Sequence, residues 1–236
     1  MNKKTIILGL IPARGGSKGV IGKNIRVVRD KPLINYAIEC GLACPSIERL
    51  VVSTDSEKIS QIAKEAGADV PFLRPKELAQ DDTPMMPVLL HAIETIEKNS
   101  DIKVDLVVLL DPTGPLRTVV DVETAIALIR KHRCDAVISG HPAHRNPYFN
   151  MVVQTGDYVH LVLTAEKEVG RRQDAPKIYD LNTVVWVYTR DAIIERGERI
   201  PKRTMLYLVP CERSVDLDSE RDFEYLEILM RKNESF

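Results

Sequence analysis

Short apolar segments rich in β-branched residues alternate with longer amphipathic segments along most of this chain of 236 residues. Residues 5–11, 50–53, 106–110 and 136–139 have the length and composition of buried strands. Residues 106–110 are apolar on both faces, which is typical of a strand inside a parallel sheet. Because a helix between two strands returns the chain to the same end of a sheet, the alternation predicts an α/β fold with a doubly wound, mostly parallel sheet.

Capping and helix-breaking residues set the expected limits of the helices. Pro32 suits a first helical turn, and Ser56, which follows Thr54 and Asp55, has the chemistry of a helix start. Gly67 ends that helix. We expect helices over residues 32–43, 56–65, 86–98, 121–131 and 222–230, and two further strands over residues 183–188 and 205–209.

The alternation is interrupted between residues 141 and 179. Strand-like segments at residues 151–154 and 158–163 are followed by a basic, polar stretch at residues 170–177. We therefore expect one domain, residues 1–236, with a hairpin insertion over about residues 141–179. Because such an insertion cannot bury its own apolar residues, we expect it to pack on a second subunit, so that the protein is a homodimer.

Charge and composition exclude several classes of protein. There are 33 Lys and Arg against 34 Asp and Glu, a balance that does not indicate binding to nucleic acid or to a membrane surface. The apolar runs are too short to span a bilayer, and the N-terminal lysines precede no cleavable signal sequence. The four cysteines form no Cys-x-x-Cys pair, so we expect reduced thiols, no zinc site and a cytoplasmic protein.

A loop rich in glycine and basic residues follows the first predicted strand. Residues 10–19 read Leu-Ile-Pro-Ala-Arg-Gly-Gly-Ser-Lys-Gly, and Lys23 and Asn24 follow shortly after. Glycines let backbone N–H groups approach phosphate oxygens, and Arg and Lys neutralise a polyphosphate. The loop fits neither the Walker spacing nor Gly-x-Gly-x-x-Gly, which disfavours a nicotinamide-dependent dehydrogenase. It predicts a polyphosphate site, with a surface turn as the alternative.

Two carboxylates near the end of the chain, Asp216 and Asp218, form a second candidate site. Residues two apart on an extended segment point to the same side, so both can converge on one divalent cation. Mg²⁺ is the cation that combines carboxylate and phosphate ligands. The alternative is a purely structural role at the start of the last helix, where acidic groups are favourable; Asp218 can fill both roles.

Residues 11–19 together with Lys23 and Asn24 resemble the signature of the acylneuraminate cytidylyltransferases, the CMP-sialic acid synthetase family. Further matches follow in the order of the family and cover nearly the whole chain, at residues 52–55, 74–79, 110–117, 172–176, 182 and 214–218. The resemblance implies a nucleotidyltransferase of Rossmann-like fold that activates an acid sugar with CTP and releases pyrophosphate. The anomeric hydroxyl of the sugar would attack the α-phosphate in line.

The resemblance also implies roles for individual residues. Catalytic roles fall to Arg14, Lys23 and Asp216. The nucleotide would be bound by Ala13, Arg14, Gly15, Ser17, Lys23, Asn24 and Arg74. The acid sugar would be bound by Thr83, Asp111, Arg172, Gln173 and Asn182, with the basic residues near 171–172 facing its carboxylate. Asp216 and Asp218 would hold Mg²⁺.

Several positions depart from the pattern of the family. Asp111 replaces a usual glutamine, Gly114 a serine, and Thr183 the glycine that commonly follows Asn182. Residues 83–87, Thr-Pro-Met-Met-Pro, replace a serine-rich segment and offer an apolar lining. Residues 145–150, Arg-Asn-Pro-Tyr-Phe-Asn, together with Asp111 resemble those of members that activate bacterial legionaminic-type acids, which carry an acetamido group at C7 and a methyl group at C9. N-acetylneuraminate is the alternative substrate.

Three other functions stay open on the sequence. A CMP-Kdo synthetase is the nearest, because it also activates an acid sugar with CTP. A sugar-1-phosphate nucleotidyltransferase opens with a similar strand and loop but uses a phosphate as its nucleophile. A non-catalytic nucleotide-binding module is disfavoured by Asp216 and Asp218, since a mere binder has less need of a metal at the α-phosphate.

Overall fold

The computed structural model describes residues 4–16, 19–165 and 169–233. Its strands are β1 (Lys4–Pro12), β2 (Val27–Val28), β3 (Lys31–Pro32), β4 (Arg49–Ser53), β5 (Ile102–Leu109), β6 (Ala136–Pro142), β7 (Val152–Thr155), β8 (Tyr158–Leu161), β9 (Tyr179–Thr189) and β10 (Thr204–Leu208). Its α-helices are α1 (Leu33–Leu42), α2 (Glu57–Glu65), α3 (Met85–Lys98), α4 (Val119–His132) and α5 (Glu220–Asn233). No helix in these described ranges is both long enough and apolar enough to cross a membrane.

A central sheet contains six of these strands in the order β10-β6-β9-β5-β1-β4. Strand β1 is parallel to β4 and β5, and β6 is parallel to β10. Strand β9 lies between β5 and β6 and is antiparallel to both. The expected mostly parallel sheet is confirmed, and the start of β9 lies at the same edge as the carboxyl ends of the parallel strands.

Helices cover both faces of this sheet. On one face, α1, α2 and α4 pack apolar side chains such as Ile38 and Ile126 against strand residues such as Val108. On the other face, α3 packs Leu89 and Ile93 against the sheet. Alternate strand residues point to opposite faces, so both layers have a buried apolar core, as a doubly wound fold requires.

Local capping residues fix where the helices begin. Ser56 caps α2, its Oγ accepting a hydrogen bond from the backbone N–H of Ile59 at 3.4 Å. Helix α4 starts two residues earlier than expected, because Thr118 and Asp121 form a reciprocal capping box. At the start of α5, Asp222 rather than Asp218 accepts hydrogen bonds from the backbone N–H groups of residues 218 and 219. Asp222 therefore supplies the side-chain cap of α5, and Asp218 lies two residues before the first residue of this helix, Glu220.

Between β6 and β9 the chain leaves the sheet as a hairpin. Strands β7 and β8 pair in antiparallel register around a turn in which Gly156 has φ of 61°, a conformation that favours glycine. All eight strand residues are exposed in the single chain, including Val152 at 58% and Tyr158 at 81%. The apolar face of the hairpin is thus uncovered by its own domain.

Candidate active site

A cleft of about 480 Å³ opens at the edge of the sheet where β1, β4 and β5 end and β9 begins. Open α/β sheets commonly bind ligands at this edge. The cleft is lined by Pro12, Arg14, Gly19, Lys23, Asn24, Arg74, Leu78, Gln80, Asp81, Thr83, Met85, Val88, Asp111, Thr113, Thr183, Asp216 and Asp218. Of the predicted site residues, Arg14, Lys23, Asn24, Arg74, Thr83, Asp111, Asp216 and Asp218 are in this set.

The loop after β1 is held in place by hydrogen bonds to its backbone. The N–H of Gly15 donates to Asp55 Oδ1 at 2.8 Å, and the buried Asn24 donates from Nδ2 to the carbonyl of Arg14 at 3.0 Å. The Arg14 guanidinium lies against Asp81, with Nη1 and Oδ1 2.5 Å apart. Asn24 thus orients the loop that presents Arg14. Ser17 lies outside the described residues.

Arg74 adds a buried cation to the wall of the cleft. It is 6% exposed and donates to the Ser53 hydroxyl at 3.1 Å, to the Ser53 carbonyl and to the Leu78 carbonyl at 3.4 Å. Burial, opposed in part by Asp55, lowers the pKa of Arg74 to about 10. The side chain is still a cation at neutral pH, and these hydrogen bonds go to neutral oxygens, so the site favours an anionic ligand.

Lys23 faces the two carboxylates from the other end of the chain. Its Nζ donates to the Leu217 carbonyl at 2.6 Å and lies 3.1 Å from Asp218 Oδ1. The pKa of Asp216 is raised by partial burial and by the neighbouring carboxylates of Asp218 and Asp111, against the opposing effect of Lys23. This excess of negative charge is the environment that a divalent cation stabilises.

Gly19 brings the loop into close contact with this acidic segment. A Cβ atom at position 19 would lie 2.5 Å from the carbonyl oxygen of Asp218, which is closer than unbonded atoms can approach. Glycine is therefore required where the two chemical segments of the site meet. Within the described residues, no group of three or more His, Cys, Asp or Glu side chains is arranged to hold a metal ion.

The loop after β5 is fixed by Arg117. This buried side chain donates to the carbonyl oxygens of Asp111 at 2.6 Å and Thr183 at 2.9 Å, and also to that of Val184. The Asp111 carboxylate accepts from the N–H and hydroxyl of Thr113 at 3.1 and 2.9 Å. The end of β5 and the start of β9 are thereby tied together beneath the cleft.

Asn182 has a different environment from the one expected of a substrate ligand. It is 4% exposed; its Oδ1 accepts from the Ser139 hydroxyl at 2.5 Å, and its Nδ2 donates to the Ser214 hydroxyl at 2.9 Å. The cleft is lined instead by the next residue, Thr183. Asn182 thus connects two strands of the sheet to the segment that carries Asp216.

A second cavity, of about 320 Å³, adjoins the cleft and shares Met85, Asp111 and Thr183 with it. The other residues that line it are Pro84, Met86, Leu109, Trp186, Tyr188 and Arg199. We call this cavity the apolar recess, since all of its own residues except Arg199 present apolar or aromatic groups. The apolar lining expected from the methionines and Pro84 is observed here.

Of the predicted residues that the structure describes, five do not line the cleft: Gly15 and Asn182, whose contacts are given above, and Ala13, Arg172 and Gln173. Ala13 is buried, and its N–H extends the pairing of β1 by donating to the Ser53 carbonyl at 2.9 Å. Arg172 and Gln173 are exposed beside the hairpin, where Arg172 donates to the carbonyls of residues 143 and 144 at 3.2 and 2.7 Å. Conversely, sequence reasoning missed Asp81 and Arg199, which lie on loops and belong to no recognisable motif.

Comparison with known proteins decides the family. The sequence profile described as "Cytidylyltransferase" matches residues 8–231 of the chain. The chain belongs to the cytidylyltransferase family. The family and the enzyme class inferred from the motifs are therefore confirmed.

Several relatives of this cytidylyltransferase are similar over nearly their full length. The "Post-translational flagellin modification protein B" of Campylobacter coli is 36% identical over 96% of this chain and 95% of its own. The CMP-N,N'-diacetyllegionaminic acid synthase of Campylobacter jejuni is 36% identical over 95% of this chain and 94% of its own. A solved structure of CMP:2-keto-3-deoxy-manno-octonic acid synthetase complexed with CTP has a TM-score of 0.69 at 19% identity. The match covers 98% of this chain and 99% of that one, which shows a shared fold.

Proposed function

We propose that this cytidylyltransferase transfers CMP from CTP to a nonulosonic acid and releases pyrophosphate. The observation that carries the proposal is the cleft itself, in which three cations and four carboxylates, Asp216 and Asp218 among them, line one opening. Arg14, Lys23 and Arg74 supply the positive charge that a triphosphate needs, and Asp216 with Asp218 supplies the ligands of a divalent cation.

The residues present fit Mg²⁺. The pKa of Asp216 is raised first by burial and then by repulsion from Asp218 and Asp111, which a bound cation relieves, and Mg²⁺ is typically bound through one or two carboxylates together with substrate phosphates. Asp216 and Asp218 would hold the ion, which would neutralise charge on the phosphates of CTP. Lys23, held by the carbonyl of Leu217, would stay beside that charge throughout the reaction.

In the transfer, the chain acts chiefly by positioning and by electrostatic stabilisation. Phosphoryl and nucleotidyl transfers spread negative charge over phosphate oxygens in the transition state, and preorganised cations lower its energy. Arg74 is preorganised by its hydrogen bonds to Ser53 and Leu78, and Arg14 by Asp81. Asp111 lines both cavities, which suits a carboxylate that accepts a hydrogen bond from the attacking sugar.

A legionaminic-type acid is the substrate that the second cavity favours. Its C7 acetamido group and C9 methyl group present more apolar surface than the hydroxyls of N-acetylneuraminate. The apolar recess supplies matching walls from Pro84, Met85 and Met86, against which a methyl group packs more favourably than a hydroxyl. The similarity to a CMP-N,N'-diacetyllegionaminic acid synthase supports the same choice.

Pyrophosphate release tests this function directly. The protein is incubated with Mg²⁺, one nucleotide at a time from CTP, UTP, ATP and GTP, and a panel of acid sugars. We expect turnover with CTP, and a kcat/KM for the diacetyl legionaminic acid at least as high as that for N-acetylneuraminate. Equal release from ATP, or a tenfold or greater preference for N-acetylneuraminate, would contradict the nucleotide or the sugar assignment respectively.

We also propose that the protein is a homodimer that assembles through the β7–β8 hairpin and acts in the cytoplasm, where CTP is available. The exposed apolar side chains of the hairpin support an interface. Arg172 and Gln173 lie outside the cleft of their own chain, so they would serve the carboxylate of a sugar bound to the neighbouring subunit. Light scattering at micromolar concentration checks this, and a fully active monomer is the opposing result.

A further inference from the structure

The apolar recess contains one cation in an otherwise apolar wall. The guanidinium carbon of Arg199 lies 5.1 Å from the centroid of the Trp186 ring, within the range of a cation–π interaction. In the part of the chain that the structure describes, this guanidinium is paired with no carboxylate. Its N–H groups are therefore available to a ligand that enters the recess.

The Trp186 ring and the backbone of Arg199 are held in position by other groups, while the Arg199 side chain itself is exposed. The indole Nε1 of Trp186 donates to the Asn182 carbonyl at 2.7 Å, which fixes the orientation of the ring. The buried Tyr188 hydroxyl donates to the backbone carbonyl of Arg199 at 2.8 Å, which anchors the segment that carries the guanidinium. A ring fixed before binding loses little conformational entropy when the ligand arrives.

Chemical connectivity limits which part of an acid sugar can enter the recess. The carboxylate is attached to the anomeric carbon, whose hydroxyl attacks the α-phosphate, so the carboxylate stays beside the nucleotide. The recess is reached past Asp111 and Thr183, and a substituent further along the sugar would occupy it. An acyl amide fits its chemistry, because the methyl group can pack on Trp186 and Met86 while the carbonyl accepts from Arg199.

We propose that Arg199 and Trp186 form a subsite for the N-acyl group at C7 of the sugar, and that Arg199 is a specificity-determining residue that selects acylated acids over hydroxylated ones. This inference rests on the proposed function. It identifies a donor for the acyl carbonyl that neither the motifs of the sequence nor the similar proteins assign.

Steady-state kinetics of the full-length chain test the subsite. The substrates are N,N'-diacetyllegionaminic acid and its analogue with a hydroxyl in place of the C7 acetamido group, each with CTP. The variants are Arg199→Ala and Arg199→Gln, which retains one amide donor. Arg130→Ala is the matched control, since Arg130 is an exposed arginine of α4 that lines neither cavity.

We expect Arg199→Ala to lower kcat/KM for the diacetyl acid at least tenfold, mainly through KM, and to change the value for the hydroxyl analogue less than threefold. Arg199→Gln should recover part of the loss, and Arg130→Ala should behave as wild type. Equal effects on both acids, or none on either, overturn the subsite. If wild type activates neither acid with CTP, the proposed function itself fails, which is a distinguishable result.

Discussion

Arg213 fastens the segment that carries the two candidate metal ligands to helix α4. Its Nη1 donates to the Asp121 carboxylate and, at 3.3 Å, to the Thr118 hydroxyl. Asp121 is 1% exposed and accepts further hydrogen bonds from Thr118 and from the Tyr207 hydroxyl, the latter at 2.9 Å. We predict that Arg213→Ala lowers the free energy of unfolding by leaving a buried carboxylate without its counter-ion.

The structure sets the size of this effect. Removing one partner of a buried ion pair typically costs about 3–5 kcal/mol. Asp121 retains its hydrogen bonds to Thr118 and Tyr207, and Arg213 is itself 26% exposed, so we expect a loss of about 2–3 kcal/mol. For a domain of this length, that corresponds to a decrease in Tm of roughly 5–10 °C.

The loss should also depend on pH. Burial raises the pKa of Asp121, but hydrogen bonds from Arg213 and Thr118 outweigh it and hold the pKa below its ordinary value. A depressed pKa contributes stability that is complete above the unfolded pKa, about 4, and is lost as the pH falls through the folded value. The difference between wild type and Arg213→Ala should therefore be largest at neutral pH and shrink below about pH 4.

Urea denaturation at pH 7 and at lower pH measures both the loss of unfolding free energy and its dependence on pH. The control is Arg171→Ala, which removes an exposed ion pair with Asp174 and should cost less than about 1 kcal/mol. An unchanged midpoint for Arg213→Ala at pH 7 would refute the reasoning. A deficit that is the same at every pH would show that lost packing, not the charge on Asp121, is responsible.

Three further predictions follow from close contacts in the site. Gly19→Ala should lower kcat/KM for CTP at least tenfold because its Cβ meets the Asp218 carbonyl at 2.5 Å, whereas Gly170→Ala, with no atom within 4 Å, should behave as wild type; equal kinetics of the two variants would contradict this. Asp216→Asn should abolish metal-dependent turnover yet raise Tm in the presence of EDTA, because it removes the cost of burying this carboxylate and its repulsion by neighbouring carboxylates; a lower Tm would indicate a structural role. Gly114→Ala should cost about 1–3 kcal/mol in urea denaturation, since its Cβ would lie 2.7 Å from the carbonyl oxygen of Thr183; unchanged stability would show that the loop adjusts freely.

Local patterns in the sequence were sufficient for most of the fold. Apolar periodicity located the main strands and helices, because the identity of a buried face depends on residue spacing within one element. The loop from Arg14 to Lys23 and the Asp216–Asp218 pair were recognisable for the same reason, since each places its chemical groups within a few residues of one another. These local signals also supported the assignment to the cytidylyltransferase family, which comparison with known proteins confirmed.

Contacts between distant segments were decided by the tertiary structure. Strand β9 reads like any other buried strand, so its antiparallel direction became visible only beside β5 and β6. Asn182 was expected in the site, but packing turns it towards Ser139 and Ser214 and leaves Thr183 to line the cleft. Arg199 acquires its position only when the loop after β9 folds back over Trp186. Side-chain periodicity specifies which face of a helix or strand is buried. Which other element packs against that face depends on segments far away in the sequence, and no local pattern identifies them.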